Sequence, residues 1–200
     1  HQRHLKPNIF ITNDSGVKQN VVDKIQAFLR EDVEFISAHP MAGREVYGVS
    51  NSDETIFYKA NYIVTPTNKN TPQGIAFAKE IGTLLNFNRI VELSCVEHDK
   101  MIGFLSQLTH VIAVSLMNTM DNTHLKEYTG DSFRDLTRIA KINENLWSEL
   151  FFLNKDLLLE EINAFEDALD HFKQTLIEDD LEEMKRLFIQ STTRRKEFDK

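Results

Sequence analysis

Residues 97–118 read EHDKMIGFLSQLTHVIAVSLMN, and this stretch decides how the second half of the chain folds. Apolar side chains recur on every side of a helix drawn over it, so the pattern predicts a buried helix without a solvent face. Asp99, Ser106 and His110 interrupt it at i, i+7 and i+11, which at about 100° per residue places them on one side. Burying such groups costs about 1 to 3 kcal/mol each without partners, so they either satisfy one another and nearby backbone or face a pocket.

Upstream of this helix, strand patterns alternate with helical patterns. The strands cover residues 8–12, 33–37, 62–65 and 89–93, and the helices cover 17–30 and 71–85. Thr71 followed by Pro72 predicts the start of the second helix, because threonine is a good N-cap and proline suits the first helical position. Strands separated by helices indicate a parallel sheet with crossover connections, as in nucleotide-binding domains.

Downstream of residue 96 only helical patterns appear. They cover residues 97–118, 133–152, 155–176 and 180–195. Within the third, two rows of apolar residues repeat every seven positions: Leu158, Phe165 and Phe172, and Ile162, Leu169 and Leu176. This spacing makes a narrow helix-to-helix seam, which is usual within one chain and equally suited to a subunit interface.

The amino-acid composition limits the classes of protein to which this chain can belong. The 200 residues are 41% hydrophobic and 27% charged, which is typical of a globular chain. A net charge of −8 argues against a nucleic-acid or anionic-membrane partner, since both need a basic surface. Cys95 is the single cysteine, so the chain fits a reducing cytoplasm. No apolar run reaches the roughly 20 residues of a membrane span, and no signal-peptide pattern is present, so we expect a cytoplasmic protein without a membrane partner.

Two loops at predicted strand ends carry polar groups, and ligands bind at the carboxyl ends of parallel strands. After the first strand, residues 12–18 (TNDSGVK) open a helix whose N-terminal amides are able to hold an anion. After the second, residues 39–45 (HPMAGRE) hold His39 extended before a proline, with Gly43 permitting a tight turn. A histidine at that place suits a general base, and a structural histidine is the alternative.

A third cluster, residues 133–138 (FRDLTR), supplies cations. Arg138 is the best carboxylate clamp in the chain, because a guanidinium binds a carboxylate through two parallel hydrogen bonds. A surface ion pair with Asp135, one helical turn away, is the alternative. No metal is expected, because the histidines lack the paired spacing of a zinc site.

Four motifs, in this order, resemble those of the prephenate dehydrogenase family of tyrosine biosynthesis, which also includes arogenate dehydrogenases. They are residues 39–43 (HPMAG), residues 62–67 (YIVTPT), His98-Asp99 with residues 106–110 (SQLTH), and residues 133–140 (FRDLTRIA) with Trp147. The family oxidises the ring alcohol of prephenate with NAD or NADP, with loss of carbon dioxide, and yields 4-hydroxyphenylpyruvate. The resemblance therefore implies a dehydrogenase that uses NAD, with NADP possible, and prephenate as its small-molecule substrate.

The resemblance also assigns roles to residues. His39 is implied as the base that accepts the proton of the ring hydroxyl, and Ser15 as the small polar residue that orients it. Arg138 is implied as the clamp on a substrate carboxylate, with Ser106 and His110 contacting the other end. The supporting polar groups are Asp99, Glu45 and Asp135, and the cofactor contacts are Thr12, Lys18, Thr65 and Pro66. The family has a glycine-serine order where this chain has Ser15-Gly16.

The implied architecture is a partial Rossmann-like α/β parallel sheet over residues 1–95, followed by an all-α substrate-binding and dimerisation domain over residues 96–200, in a homodimer. Family members begin with a Gly-x-Gly-x-x-Gly turn, which the seven glycines of this chain do not form. We therefore expect about 80 to 100 residues, the usual first half of a dinucleotide fold, to precede His1. The alternatives are an arogenate dehydrogenase and, from another class, a non-catalytic helical dimer fragment.

Overall fold

The four predicted strands form one sheet in the first half of the chain. They are β1 (Ile9–Asn13), β2 (Val33–Pro40), β3 (Asn61–Thr65) and β4 (Arg89–Glu92), in that spatial order. The computed structural model, which describes residues 2–43, 48–121 and 124–197, confirms the predicted fold class of an α/β sheet followed by helices.

The sheet is mixed, however, and the prediction of wholly parallel pairing is wrong at its centre. β1 and β2 pair in parallel, as do β3 and β4, but β2 and β3 are antiparallel. Parallel neighbours need a long crossover, usually an α-helix. The described part of the β2–β3 connection holds only two short 3₁₀-helices, Val49–Asn51 and Glu54–Phe57, so β3 runs back alongside β2.

Two helices cover opposite faces of the sheet. Successive side chains of a strand alternate between faces, and β2 uses both. One face joins β2 and β3 to α2 (Pro72–Leu84) through Ile36, Ala38, Tyr62, Val64, Ala78 and Phe87, and the other joins β2 to α1 (Gln19–Phe28) through Val22, Phe35 and Cys95. The hydroxyl of Thr71 accepts a hydrogen bond from the N–H of Gly74 at 3.1 Å, which confirms the predicted start of α2.

One helix of 24 residues extends from Cys95 to Asn118. It consists of α3 (Cys95–Ile102), a π-helical turn (Gly103–Leu108) and α4 (Thr109–Asn118). By length and composition alone it is able to cross a membrane, contrary to the expectation from the sequence. Its polar residues His98, Asp99 and Gln107 are nevertheless buried and hydrogen-bonded to other parts of the protein, which favours a helix packed within the molecule.

The complete burial predicted for this helix is wrong for the single chain. Ile102 and Leu108 are each 4% exposed, but Met101, Phe104 and Leu105 keep 43%, 53% and 44% of their surface. A helix that is apolar all round needs cover on every side, and the described residues cover only part of it.

The helices that follow are α5 (Leu125–Tyr128), α6 (Asp131–Thr137), α7 (Glu144–Leu153), α8 (Lys155–Ile177) and α9 (Leu181–Lys196). The single helix predicted over 133–152 is wrong, because a 3₁₀-turn (Arg138–Ala140) and residues 141–143 interrupt it. The side chain of Asn143 accepts from the N–H of Leu146 at 3.1 Å and starts α7, as asparagine favours a cap over a helix interior. The helices predicted over 155–176 and 180–195 are confirmed.

Packing divides the chain into two compact units, His1–Leu158 and Leu159–Lys200. The boundary predicted near residue 95 is a different division of the chain, because it separates the sheet from the helices. It stays a prediction. The polar residues described below lie in the first unit.

Candidate active site

Two histidines and an aspartate form a chain of hydrogen bonds. Nδ1 of His39 lies 2.9 Å from Nε2 of His98, and Nδ1 of His98 lies 2.8 Å from Oδ1 of Asp99. His98 is fully buried and Asp99 is 2% exposed. In the sequence, His98 stands out only as part of a family motif. The signal that could have identified a buried pair is a histidine next to an aspartate within an apolar helix.

The elements explain why these three side chains meet. His39 lies near the end of β2, where it pairs with Ile63 of β3. His98 and Asp99 lie in the first turns of α3, which a capping box at Ser94 starts: Ser94 Oγ accepts from the N–H of Glu97, and the Glu97 carboxylate accepts from the N–H of Ser94. Consecutive helical residues point about 100° apart, so His98 reaches β2 while Asp99 reaches α1.

Asp99 is the N-terminal cap of α1, although 80 residues separate it from Gln19 in sequence. Its Oδ1 accepts from the N–H of Lys18 and its Oδ2 from the N–H of Gln19, both at 2.8 Å. The first N–H groups of a helix lack partners within the helix, and the helix dipole favours a negative charge beside them. Each oxygen of the carboxylate therefore accepts one backbone hydrogen bond at the start of α1.

His39 is a neutral imidazole. Burial is the main cause that lowers the pKa of His39 from 6.5 to about 3, and electrostatic interactions with His98 and Lys18 lower it further. A neutral ring is the form that accepts a proton. Within residues 2–43, 48–121 and 124–197, the Nε2 atom of His39 has no hydrogen-bond partner.

Lys18 lies beside this histidine but does not face a ligand. Its side chain is fully buried, and Nζ donates to the carbonyl oxygen of Ala38 at 2.6 Å. Burial lowers its pKa from 10.5 to about 7 in spite of the nearby Asp99 and Asp14. No surface of the side chain is accessible, and the contact between Lys18 and a cofactor stays a prediction.

Ser15, predicted to orient His39, forms its hydrogen bonds within its own loop, and the orienting role stays a prediction. The Ser15 hydroxyl accepts from Nδ2 of Asn13 at 2.8 Å and donates to the carbonyl oxygen of Val17 at 2.9 Å. It therefore shapes the loop that leads into α1, while His98 bonds to His39. A short side chain on this loop bonds most readily to its own backbone.

Of the other predicted cofactor contacts, Thr12 is exposed and Pro66 is half-buried, so both are accessible to a ligand. Thr65 is fully buried and its hydroxyl donates to the carbonyl oxygen of Ser37 at 3.1 Å. Thr65 pairs with Ser37 of β2, which on its other side pairs with Asn13 at the end of β1. Its side chain is covered, and a contact between Thr65 and a cofactor stays a prediction.

The remaining predicted residues that the structure describes lie on the long helix, on α6 and on the 3₁₀-turn that follows α6. His110 stacks on Trp147 with 3.6 Å between ring centroids, and its Nδ1 lies 2.8 Å from the carbonyl oxygen of the half-buried Ser106. The predicted stripe with Asp99 is not seen in these contacts, since Asp99 bonds to α1 and His98. The π-helical turn between them is wider than an α-helical one, so 100° per residue does not hold across it.

Arg138 is exposed in the 3₁₀-turn, which packs against α4. Within the described ranges, Asp135 is exposed and forms no ion pair, so the alternative pair with Arg138 is not formed. Arg134 pairs with Asp131 at 3.2 Å instead. Glu45 lies outside the described residues. No group of three or more potential metal ligands occurs in the part of the chain that the structure describes.

A mixed α/β sheet with a histidine near a strand end, followed by a helical region, is the architecture of a protein with an α/β part and an all-α part. The chain belongs to the prephenate dehydrogenase family. The model of the prephenate dehydrogenase nucleotide-binding domain matches residues 1–90, and that of the prephenate dehydrogenase dimerization domain matches residues 94–190.

Curated relatives agree with this assignment. Prephenate dehydrogenase from Bacillus subtilis (strain 168) is 30% identical over 191 residues, which are 92% of this chain and 51% of that protein. Cyclohexadienyl dehydrogenase from Zymomonas mobilis is 30% identical over 84% of this chain and 56% of its own length. The chain thus spans about half the length of the curated relatives it matches.

Solved structures have the same fold. Prephenate dehydrogenase from A. aeolicus, in complex with hydroxyphenyl propionate and NAD+, superposes with a TM-score of 0.88 at 28% identity, over 98% of this chain and 70% of that chain. Synechocystis arogenate dehydrogenase superposes with a TM-score of 0.84 at 22% identity, over 98% of this chain and 72% of that chain, a likeness of fold alone.

Proposed function

We propose that the protein containing this chain oxidises prephenate with NAD+ to 4-hydroxyphenylpyruvate and carbon dioxide, and that this chain supplies the base and the substrate clamp. The observation that carries the proposal is the neutral His39, bonded through Nδ1 to a buried histidine. The names of the curated relatives support it, as does the solved complex of the A. aeolicus enzyme with NAD+.

The reaction balances with one base and one hydride acceptor. Bound NAD+ would accept the hydride that leaves the carbinol carbon. The His39 imidazole takes the hydroxyl proton, so the O–H and C–H bonds break and a C=O bond forms. The bond to the ring carboxylate then breaks, its electron pair makes the ring aromatic, and carbon dioxide leaves. The phenolate oxygen takes up a proton to give the phenol. His39 is thus the group that holds a proton between the two steps.

Substrate binding is assigned to Arg138 of the 3₁₀-turn and to polar groups of the long helix. Prephenate carries two carboxylates, and the chain has a net charge of −8, so binding needs local positive groups. Arg138 is exposed and suited to a two-point contact with a carboxylate, with His110 and Ser106 at the other end. Asp135 and Glu45 stay in this proposal as supporting polar groups.

Only two of the four predicted cofactor contacts have accessible side chains. Thr12 and Pro66 are accessible and suit contacts with a dinucleotide, whereas Lys18 and Thr65 are covered. None of the seven glycines forms a Gly-x-Gly-x-x-Gly turn, so the pyrophosphate contacts are not assigned to these residues. The cofactor is NAD, with NADP as the alternative. A homodimer in the cytoplasm completes the proposal, supported by the dimerization-domain match and the lone buried cysteine.

A direct test is the formation of NADH on addition of prephenate to the complete product of the gene. Arogenate in place of prephenate, and NADP+ in place of NAD+, give the four combinations that define the activity. We expect turnover with prephenate and NAD+. Turnover with arogenate alone would make the protein an arogenate dehydrogenase, and no turnover in any combination would favour the non-catalytic dimer fragment.

A further inference from the structure

The hydrogen-bond chain that ends at His39 has a direction, which its fixed donors determine. Backbone N–H groups can only donate, and Asp99 receives one on each oxygen, from Lys18 and Gln19. The carboxylate at this helix N-terminus therefore acts as an acceptor throughout. It follows that Nδ1 of His98, 2.8 Å from Oδ1 of Asp99, is the donor in that bond.

The next bond in the chain follows if His98 is neutral. A neutral histidine has one N–H donor and one bare nitrogen, so a neutral His98 with its proton on Nδ1 has an acceptor at Nε2. The atom 2.9 Å from that acceptor is Nδ1 of His39, which must therefore carry its own proton. His39 is left with a bare Nε2. The two rings are inclined by 60° with centroids 5.1 Å apart, so they meet by this bond and not by stacking.

We propose that the Asp99–His98 pair fixes the tautomer of His39 and makes Nε2 of His39 the atom that accepts the substrate proton. The identity of that proton rests on the proposed function, whereas the tautomer does not. His98 is a positioning residue, because it acts through His39. As Nε2 takes up a proton from a hydroxyl group, His39 becomes a cation whose Nδ1–H still donates to His98, and His98 still donates to the charged Asp99.

The surroundings of the pair hold it in place and keep water away. His98 has no exposed surface, so water does not compete for either ring nitrogen. Nδ2 of Asn154 donates to the carbonyl oxygen of Asp99 at 2.9 Å and to Oε1 of Gln107 at 2.8 Å, and Gln107 donates to the carbonyl oxygen of Leu150 at 3.0 Å. The turn that carries His98 is thereby tied to the junction of α7 and α8. A site tied in this way is preorganised for one arrangement of protons.

The tautomer can be measured directly by ¹⁵N NMR of the histidine rings in this chain, without any assay of activity. We expect His39 to show a protonated Nδ1 and a bare Nε2. In His98→Leu, which removes both bonds at similar volume, we expect a mixture of the two tautomers. A protonated Nε2 in the unsubstituted protein, or an unchanged tautomer in His98→Leu, would overturn the inference.

Kinetics of the complete gene product provide the second arm. His98→Leu should lower kcat about 10- to 100-fold, with KM for prephenate almost unchanged. His98→Gln, whose amide oxygen is able to accept from Nδ1 of His39, should recover most of the rate, which a merely structural role would not predict. Ile102→Ala, a buried apolar change on the same helix, is the control for lost stability, and should leave kcat near normal.

The two arms separate two kinds of failure. The expected tautomer in a protein that does not oxidise prephenate would support the inference and remove the proposed function. Oxidation of prephenate with an equal rate loss in His98→Gln and His98→Leu would retain the function and overturn the positioning role. If His98→Leu does not fold, the spectrum of the unsubstituted protein and the His98→Gln variant still decide.

Discussion

At the scale of single residues, His39 is the group on which the proposed chemistry depends. His39→Asn in the complete gene product should lower kcat by about 10² to 10⁴, the usual contribution of a general base. KM should stay nearly constant, because the imidazole acts mainly as charge develops in the transition state. Steady-state prephenate-dependent NADH formation measures both constants. His4→Asn is the matched control, and normal turnover in His39→Asn would remove this histidine from the mechanism.

Arg138 should behave in the opposite way. Arg138→Ala removes a two-point carboxylate contact that exists in both ground and transition states, so KM for prephenate should rise and kcat should change little. Arg134→Ala is the control, because Arg134 is also exposed and pairs with Asp131 on the same segment. An unchanged KM in Arg138→Ala would show that this guanidinium does not hold the substrate.

At the scale of elements, local signals set where helices begin. The start of α2 illustrates this, because the Thr71 hydroxyl accepts from the N–H of Gly74. Thr71→Ala should lower the free energy of unfolding by about 1 kcal/mol, measured by urea denaturation. Thr83→Ala, on the same helix, is the control: its hydroxyl bonds the carbonyl oxygen of Lys79 and caps nothing. Equal losses in both variants would contradict the capping role.

Local sequence signals did not predict the irregular turns and breaks within the helices. The pattern over residues 97–118 predicts regular α-helical phase, and the π-helical turn of the observed helix changes that phase. The helix predicted over 133–152 is interrupted before Asn143, which caps α7. Periodicity averages over a window of residues, so one wide turn or one break within the window leaves it almost unchanged.

At the scale of the whole molecule, exposed apolar surface predicts self-association. On α8, Leu169 and Leu176 of the predicted seam are 56% and 57% exposed, and Phe104 and Leu105 are uncovered on the long helix. Such area is worth about 25 cal/mol per Å², enough for an obligate interface if about 2,000 Å² is buried. Light scattering at micromolar concentration should therefore give twice the 23.2 kDa chain mass.

A charge placed in the seam should separate the subunits. Leu169→Glu combined with Leu176→Glu should shift the mass towards 23.2 kDa, because unpaired carboxylates are costly to bury. Lys173→Glu, an exposed charged position on the same helix, should leave the assembly intact. A monomer for the unsubstituted chain would contradict the interface argument, and the apolar face of the long helix would then need another cover.

The sequence by itself determined the four strands, the helices α1 and α2, the cap of α2 and the position of His39 at a strand end. The last two depend on neighbours within a few residues, namely Thr71 before Pro72 and a proline after His39. The four motifs also identified the family, because their order is the same even where most of the sequence differs.

Only the tertiary structure decided which groups meet. Three features join residues that lie far apart in the chain. They are the antiparallel pairing of β2 with β3, the burial of Lys18, and the link from His39 through His98 to Asp99. Asp99 caps α1 from 80 residues away, and Ser15, nearer in sequence, bonds only to its own loop. Local pattern fixes backbone conformation, but hydrogen-bond partners and pKa shifts depend on distance in space and on burial, which exist only once the chain has packed.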